Sequence, residues 1–559
     1  MQRNHSFPHA SPALSLVPIR TSRAMQRSFT LTLLLLLAAG LLCSTAARAE
    51  DTLTTAPAVT ITPTVGPPTT QVLVSGFGFD PYATVDIYFD ITHLAQTTTN
   101  AAGAFGGGGS FQGGIPVQAP ASAIPGDHWI TALERSGQKL ARKSFLVRTD
   151  WAQFLFGPDH PGWNPYENVL SAANVGGLGL RWSFQTGGIV SSSPAVATGM
   201  VYVGSGDKNL YALNASTGML LWQYTTGGAV GDPAVANGVV YVNSDDKNLY
   251  ALNASTGGML WQYTTGGVFS SPTVANGVVY FGSEDKNLYA LNASTGGLLW
   301  QYTTGGVFFS PTVANGVVYF GSEDGNLYAL NASTGALLWK YPTAEGVGSA
   351  AVGNGVVYFG AADPNNWNGG TVFALNANTG ALVWKTFVAE GQGGSADFST
   401  PSLGVAGVLV SVSTSSQQVW YGTLFCLNPV KGGINWSRGL GGPASSPAGG
   451  VIPIYVGASG VYLPHGQPPT MYALGFGGGL FWQYTPNGNI ESSPAVANGV
   501  VYFGDDDFNL YALNASTGEL LWNYTTGGAV VSSPAVVNGV VYVGSYDGNI
   551  YAFGLTGGL

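Results

Sequence analysis

The chain has 559 residues, of which 45% are apolar and 8% charged, with a formal net charge of −10. That apolar share is ample for a large core, and solubility must rest on the Ser, Thr, Asn and Gln that fill its polar stretches. An acidic surface with no basic stripe repels a polyanion, which excludes nucleic acid as a partner. Residues 1–49 read as a secretory signal region starting at Met25, because Met25-Gln26-Arg27 repeats Met1-Gln2-Arg3. Arg27 supplies the positive charge, residues 31–42 the apolar run, and Ala47-Arg48-Ala49 a small-x-small cleavage site. The run is shorter than the roughly 20 residues a membrane helix needs. The expectation is a mature chain from about Glu50, secreted or in the cell envelope, with no transmembrane anchor. Leu42 stands before Cys43 where lipidation needs a small residue, and removal of Cys43 leaves Cys426 without a disulfide partner.

Residues 50–149 have a grammar of their own. Short β-branched runs such as VTITP, QVLVSGF, VDIYF and KSFLV alternate with Gly, Pro and Asn turns, the pattern of a β-sandwich. Gly76-Phe77-Gly78-Phe79 leads into Asp80-Pro81, and in this the segment resembles bacterial Ig-like domains of the IPT/TIG type. Glu134, Arg135, Lys139, Arg142 and Lys143 read as a solvated strand pair rather than a binding patch.

Residues 150–559 repeat one unit, with tryptophans at 182, 222, 261, 300, 339, 384, 436, 482 and 522. A period of about 40 residues is that of a four-stranded propeller blade. Within residues 271–306 the runs SPTVA, VVYFGS, NLYALN and GLLWQY have strand length and composition. Asn276-Gly277, residues 284–287 and residues 293–296 supply the turns between them. First strands begin at Pro194, Pro233, Pro272, Pro311, Ala350, Pro401, Pro447, Pro494 and Pro534, and the last unit lacks a tryptophan strand. Residues 180–187 are therefore predicted to complete the last blade and close the ring. The fold class is all-β: a propeller of nine units, with eight as the alternative, preceded by an Ig-like sandwich.

The turn before each tryptophan decides the family resemblance. ALNASTGMLLW at 212–222 recurs with small changes at 251–261, 290–300, 329–339, 374–384 and 512–522. It resembles the tryptophan-docking motif of the pyrroloquinoline quinone (PQQ) repeat propellers, which have the quinoprotein alcohol dehydrogenase-like fold. The resemblance makes Trp182, Trp222, Trp261, Trp300, Trp339, Trp384, Trp436, Trp482 and Trp522 structural docking residues. Asn stands where the family has Asp, Cys426 and Lys431 depart from the motif, and the unit ending at Trp482 is one residue short. For the dehydrogenase branch the resemblance implies a pair of adjacent cysteines beside the quinone, a calcium held by carboxylate and Asn, and a catalytic Asp. Cys43 and Cys426 are the two cysteines of the chain, and its 18 Lys and Arg offer no evident cation for the quinone carboxylates. The non-catalytic branch, which includes an outer-membrane barrel-assembly scaffold lipoprotein, is the better analogue. The expectation is a protein that is not an enzyme, with neither PQQ nor calcium as cofactor.

Catalytic and metal motifs are otherwise lacking. His93, His128, His160 and His465 have no metal-ligand spacing. Acidic turns at Asp207, Asp246, Asp285, Asp324 and Asp547 read as turn formers, with the run Asp505-Asp506-Asp507 as the best candidate for calcium. Three consecutive units carry insertions, at residues 363–371, 413–423 and 459–470, with a further one at 390–399. In a meander these loops leave by one end of the blades. They gather Trp367, Trp420, Tyr421, Tyr462 and His465 with Asp363, Asn365, Asn366, Gln417 and Gln418 as a candidate ligand-binding sector. Aromatics beside amides suit sugar rings or extended peptides; the plainer reading is that the loops pack on one another. The sequence also places Ser192, Ser271, Ser310, Ser446, Ser493 and Ser533 at the mouth of a central channel, interrupted by Asp232 and Glu491. The reading chosen is a secreted non-enzymatic scaffold that binds a carbohydrate or protein partner. The alternatives are a PQQ- or metal-dependent oxidoreductase using the channel, and a purely structural repeat protein.

Overall fold

The computed structural model describes residues 56–556 apart from 108–112, 153–155, 157–161, 268–269, 308, 344–345, 363–368, 390–395, 405–406, 417–418, 441–446, 449–453, 459–467 and 476. The proposed signal region lies outside the described residues. Among those described, every regular element is a strand except one short 3-10 turn, Val175–Gly177.

Two sheets come first. Gln71–Phe77 pairs with Ala58–Thr62 and Ile115–Gln118 in one, and Gly126–Glu134 lies between Thr84–Phe89 and Leu140–Val147 in the other. Alternate residues point inward, so Val72, Val74, Val85, Ile87, Ile130 and Phe145 form one core. The charges singled out in this segment are largely taken up locally. Arg135 binds Asp86, Lys139 Nζ lies 2.8 Å from Asp80, and the Arg142 guanidinium sits 4.4 Å over the Trp129 ring.

Nine further sheets follow among the described residues, which decides for nine units over eight. Blade 1 is Ala195–Ala197, Met200–Gly204, Asn209–Asn214 and Leu220–Thr225; blades 2 to 8 repeat it, from inner strands Ala234–Ala236, Thr273–Ala275, Thr312–Ala314, Ala351–Gly353, Ser402–Gly404, the bridge at Ala448, and Ala495–Ala497. In blade 9, Ala535–Val537, Val540–Gly544 and Asn549–Leu555 are completed by Leu178–Gln185, which runs antiparallel to Asn549–Leu555. The N-terminal strand closes the ring as expected, two residues earlier than 180–187. The tight first turn depends on Asn-Gly: Asn237 and Gly238 take φ of 50° and 77°, the left-handed pair that suits the twist of a hairpin.

One joint holds neighbouring blades together. Trp222 Nε1 donates to the carbonyl of Ala254 in the next blade at 2.9 Å, and the Tyr202 hydroxyl donates to the same oxygen at 3.1 Å. The indole lies on Gly257, where a Cβ would come within 2.6 Å of the ring. The pattern recurs for Tyr241 and Trp261 on Ala293, Tyr280 and Trp300 on Ala332, Tyr319 and Trp339 on Ala377, Tyr455 and Trp482 on Ala515, and Tyr542 and Trp182 on Ala215. Asn in place of the family's Asp keeps the turn, because Asn214 Oδ1 accepts the N–H groups of Ser216 and Thr217, a task that needs only an acceptor. The closing joint is different. Blade 9 has no docking turn, so Trp522 donates to Leu178 O, while the buried Tyr502 hydroxyl has no partner among the described residues.

Replacing Tyr241 by Phe removes a satisfied hydroxyl and should cost about 1 kcal/mol in urea unfolding. Tyr502→Phe removes an unsatisfied one and should be neutral or stabilising; an equal loss in both variants would refute this account of the joint.

Candidate functional site at the central channel

The innermost strands of blades 8, 9, 1, 2, 3, 4, 5 and 6 are successive neighbours around the axis. The segment that leads from the N-terminal sheets into the propeller uses their inner edges. Thr149 exchanges hydrogen bonds with Asn538 on the first turn of blade 9. Trp151 and Val196 of blade 1 exchange N–H···O bonds of 2.7 Å, and Val235 of blade 2 donates to Ala152 O. Farther on, Trp163–Asn164 pairs in parallel with Val496 and Ala497 of blade 8, and Asn164 Nδ2 donates to Val536 O of blade 9. Glu167 then accepts the N–H groups of Val169, Leu170 and Gly539. The chain thus descends along blades 1 and 2, rises along blade 8, and lines one side of the channel. Sequence reading missed this strap because Trp151 and Trp163 stand outside the repeat, and a two-residue pairing has no periodic signal.

The opposite mouth carries a chain of serines. Ser192 Oγ both donates to Gly204 O and accepts Gly204 N–H, stapling first strand to second within one blade; Ser492 and Ser532 do the same. The next residue links blades. Ser493 N–H donates to Ser533 Oγ, Ser533 N–H to Ser193 Oγ, and Ser193 N–H to Asp232 Oδ1 at 2.8 Å. Ser193, not Ser192, therefore belongs to the mouth, and Glu491 stands outside this linkage on an exposed position. Asp232 is half-buried at this mouth. Desolvation outweighs the Ser193 hydrogen bond and pushes its carboxyl from 3.8 up to about 6.

Other expected positions fare as follows. Asp363, Asn365, Asn366, Trp367, Gln417, Gln418, Tyr462 and His465 lie outside the described residues. Trp420 and Tyr421 are placed as strand positions in blade 6, opposite Ser415 and Thr414. In blade 6 the second and third strands are last paired at Ser416 and Val419, at the end of the blade opposite the first turn. Asp207 accepts from Tyr211 Oη at 2.7 Å and from Asn209 N–H at 3.0 Å. Burial pushes its carboxyl up, but these donors and Gly187 N–H hold it below its ordinary value; Asp246, Asp285, Asp324 and Asp547 repeat the arrangement. Asp505 stands where blade 1 has Ser205. It accepts Asn509 N–H and the Tyr511 hydroxyl and is raised by burial, while Asp506 accepts Asn489 N–H. Among the described residues no three His, Cys, Asp or Glu side chains converge as metal ligands. Burial pushes the Cys426 thiol up to about 11. Among the described residues, three buried polar atoms of blade 6 have no partner, Ser411 Oγ, Thr423 Oγ1 and Arg438 Nε.

The repeat joint and its docking turns agree with the family comparison. A family model, PQQ_2, described as outer membrane protein assembly factor BamB, matches residues 126–271, 264–459 and 470–558. The chain belongs to this PQQ-repeat family. No curated protein matches it in sequence. Among solved structures it is similar to a europium-containing methanol dehydrogenase, at 16% identity and a TM-score of 0.53, over 73% of this chain and 98% of that one. The quinohemoprotein alcohol dehydrogenase of Comamonas testosteroni matches at 18% identity and 0.51, and ADHIIG of Pseudomonas putida HK5 at 17% and 0.50, each over 74% of this chain and 81% of the other.

These structures correct two expectations. The propeller was read as not an enzyme and as having no PQQ or calcium; these three solved structures similar to it in fold are dehydrogenases, two of them quinohemoproteins. At this identity the likeness shows the fold. The polar side chains described at the channel mouth are serine hydroxyls and one carboxylate, which accept backbone N–H groups. This set does not fit a quinone tricarboxylate, which needs cations.

The Asp232 carboxyl titrates higher folded than unfolded, so the native state holds the extra proton between about pH 4 and 6, and stability falls as pH rises through that window. Asp232→Ser, which restores the ring's usual residue, should flatten that fall. It should be more stable than the parent at pH 7 by on the order of 2 kcal/mol and nearly equal to it at pH 4. Urea unfolding at both values checks this; an Asp232→Ser chain less stable at pH 7 would refute it.

Proposed function

We propose that this chain is an envelope-associated propeller that binds a protein partner on the face where the serine mouth meets the long connections of blades 5, 6 and 7. Family membership, with its description as an outer membrane protein assembly factor, supports the partner class and the location. The observation that carries the choice of face is the departure of one sector from the repeat. Among the described residues blade 6 leaves Ser411, Thr423 and Arg438 atoms buried and unpaired, and buried polar groups without partners are rare unless another group completes them. In this reading residues 1–49 are a secretory leader, 50–149 an Ig-like module and 150–559 the propeller. Trp367, Trp420, Tyr421 and Tyr462 are the anchors, with Asp363, Asn366, Gln418 and His465 as polar contacts; rigid aromatic anchors dominate such surfaces. Sugar rings would use the same residue types.

The mature chain, photo-crosslinked in envelope extracts, should capture a protein whose yield falls about tenfold in a Trp367→Ala, Trp420→Ala double variant. Capture unchanged by the double variant would move the site elsewhere, and a saturable glycan response lost in that variant would replace the protein with a carbohydrate. Alcohol oxidation after addition of PQQ and calcium, read with an artificial electron acceptor, would replace binding with catalysis.

A further inference from the structure

The inner edges of the blades are not equivalent. In blades 8, 9, 1 and 2 the strap lies against them, and in blades 8, 9 and 1 the inner strands are wholly buried. In blades 3, 4 and 5 every residue of Thr273–Ala275, Thr312–Ala314 and Ala351–Gly353 is only half-buried, and Leu403 in blade 6 is 36% exposed. Hairpin geometry fixes what these strands present. The two-residue turn Asn276-Gly277 is closed by the pair Ala275 and Val278, so Val274 opposite Val279 is a non-hydrogen-bonded position. Its N–H and C=O point out of the sheet and into the channel. Val313 and Val352 occupy the same register, and none of the three has a backbone partner on that side among the described residues. Val196, at the identical position in blade 1, is the residue that exchanges two hydrogen bonds with Trp151.

The residue types differ between the two halves as well. Blades 1, 2, 8 and 9 begin their inner strands with Ala195, Ala234, Ala495 and Ala535; blades 3 and 4 begin with Thr273 and Thr312, and blade 5, also on the open side, with Ala351. Each threonine donates its hydroxyl to the next blade, Thr273 to Pro311 O at 2.8 Å and Thr312 to Ala350 O at 2.7 Å. Side-chain staples link blades 3, 4 and 5, and among the described residues nothing pairs with their valine edges.

We propose that the open side of the channel, along Val274, Val313 and Val352, binds an extended polypeptide segment by strand addition, as the opposite side binds the chain's own strap. The occupant pairs through two or three residues of backbone and sets an apolar side chain among the valines and Leu403. Backbone bonds supply affinity and side-chain fit supplies selectivity in this mode. This site is separate from the loop sector proposed above, and neither requires the other.

The probe is a fluorescein-labelled peptide that copies residues 148–154, added to the intact mature chain, in which blades 1 and 2 already hold the same sequence. Anisotropy should show saturable binding. N-methylation of the peptide at the position of Trp151, which removes one donor without touching the protein, should weaken it about tenfold or more. A Val274→Pro, Val313→Pro, Val352→Pro variant should weaken it similarly, since proline at an outward-facing edge position removes a donor that the sheet does not use. The Trp367→Ala, Trp420→Ala variant should bind the peptide normally, which separates this site from the loop sector. No saturable binding, or binding that survives N-methylation, overturns the proposal, and so does binding retained by the folded triple variant. Should that variant not fold, the N-methylated peptide decides.

Discussion

Most joints of the propeller rest on a single carbonyl that accepts two hydrogen bonds from the neighbouring blade. Ala254 O receives the Trp222 indole and the Tyr202 hydroxyl, so one oxygen satisfies the polar tips of two large side chains whose bodies fill the joint between blades. Burying an indole or a phenol without a partner costs free energy, and this acceptor removes that cost for both at once. The glycine that follows fixes the distance. At Gly257 any Cβ would collide with the Trp222 ring, so indole and backbone stack directly and the blade spacing repeats.

A closed ring cannot keep that joint everywhere. The docking turn lies between the third and fourth strands of a blade, and blade 9 takes its fourth strand from the start of the propeller rather than from a continuous turn. The joint between blades 8 and 9 therefore has Leu178 O in place of a docking carbonyl, reached by Trp522 but not by Tyr502. The strap compensates from the inside. Glu167 draws in Gly539 of blade 9, Asn164 reaches Val536, and Asn498 of blade 8 donates to Leu170 O. The described residues just before the closing strand Leu178–Gln185 thus line the channel on the side where that strand completes blade 9.

The repeat was legible because its signals are local and copied. Asn-Gly turns, strand-length apolar runs and the spacing of tryptophans each recur, so one correct reading of residues 271–306 serves for the regular blades, and the missing last tryptophan strand pointed to closure by the first. What escaped was everything that occurs once. Trp151 and Trp163 read as an aperiodic lead-in, and only the three-dimensional path shows them hydrogen-bonded in the channel. Ser192 and Ser193 are adjacent and chemically alike, and sequence could not tell which staples within its blade and which links to the next. Asp232 was visible as an interruption of the serines; its desolvation was not. The loop residues Trp367 and His465 stand on insertions that no other blade repeats, and repetition was the source of confidence elsewhere. The missing cysteine pair argued against an enzyme, whereas three solved structures similar in fold are dehydrogenases.

The two halves of the channel solve one problem in two ways. Inner strands of three residues give each blade little contact with the next, so the ring needs cross-links near its axis. In blades 1 and 2 the backbone of Trp151 and Ala152 supplies them. In blades 3 and 4 Thr273 and Thr312 supply them from side chains. Asp232 sits on blade 2, the last blade the strap touches before the threonines begin, and the Ser193 N–H it accepts is the last link of the serine chain. A serine there would link by the same geometry without a charge. The carboxylate accepts the same N–H while carrying a desolvation cost that serine would not, and that cost falls where the covered half of the channel gives way to the open half.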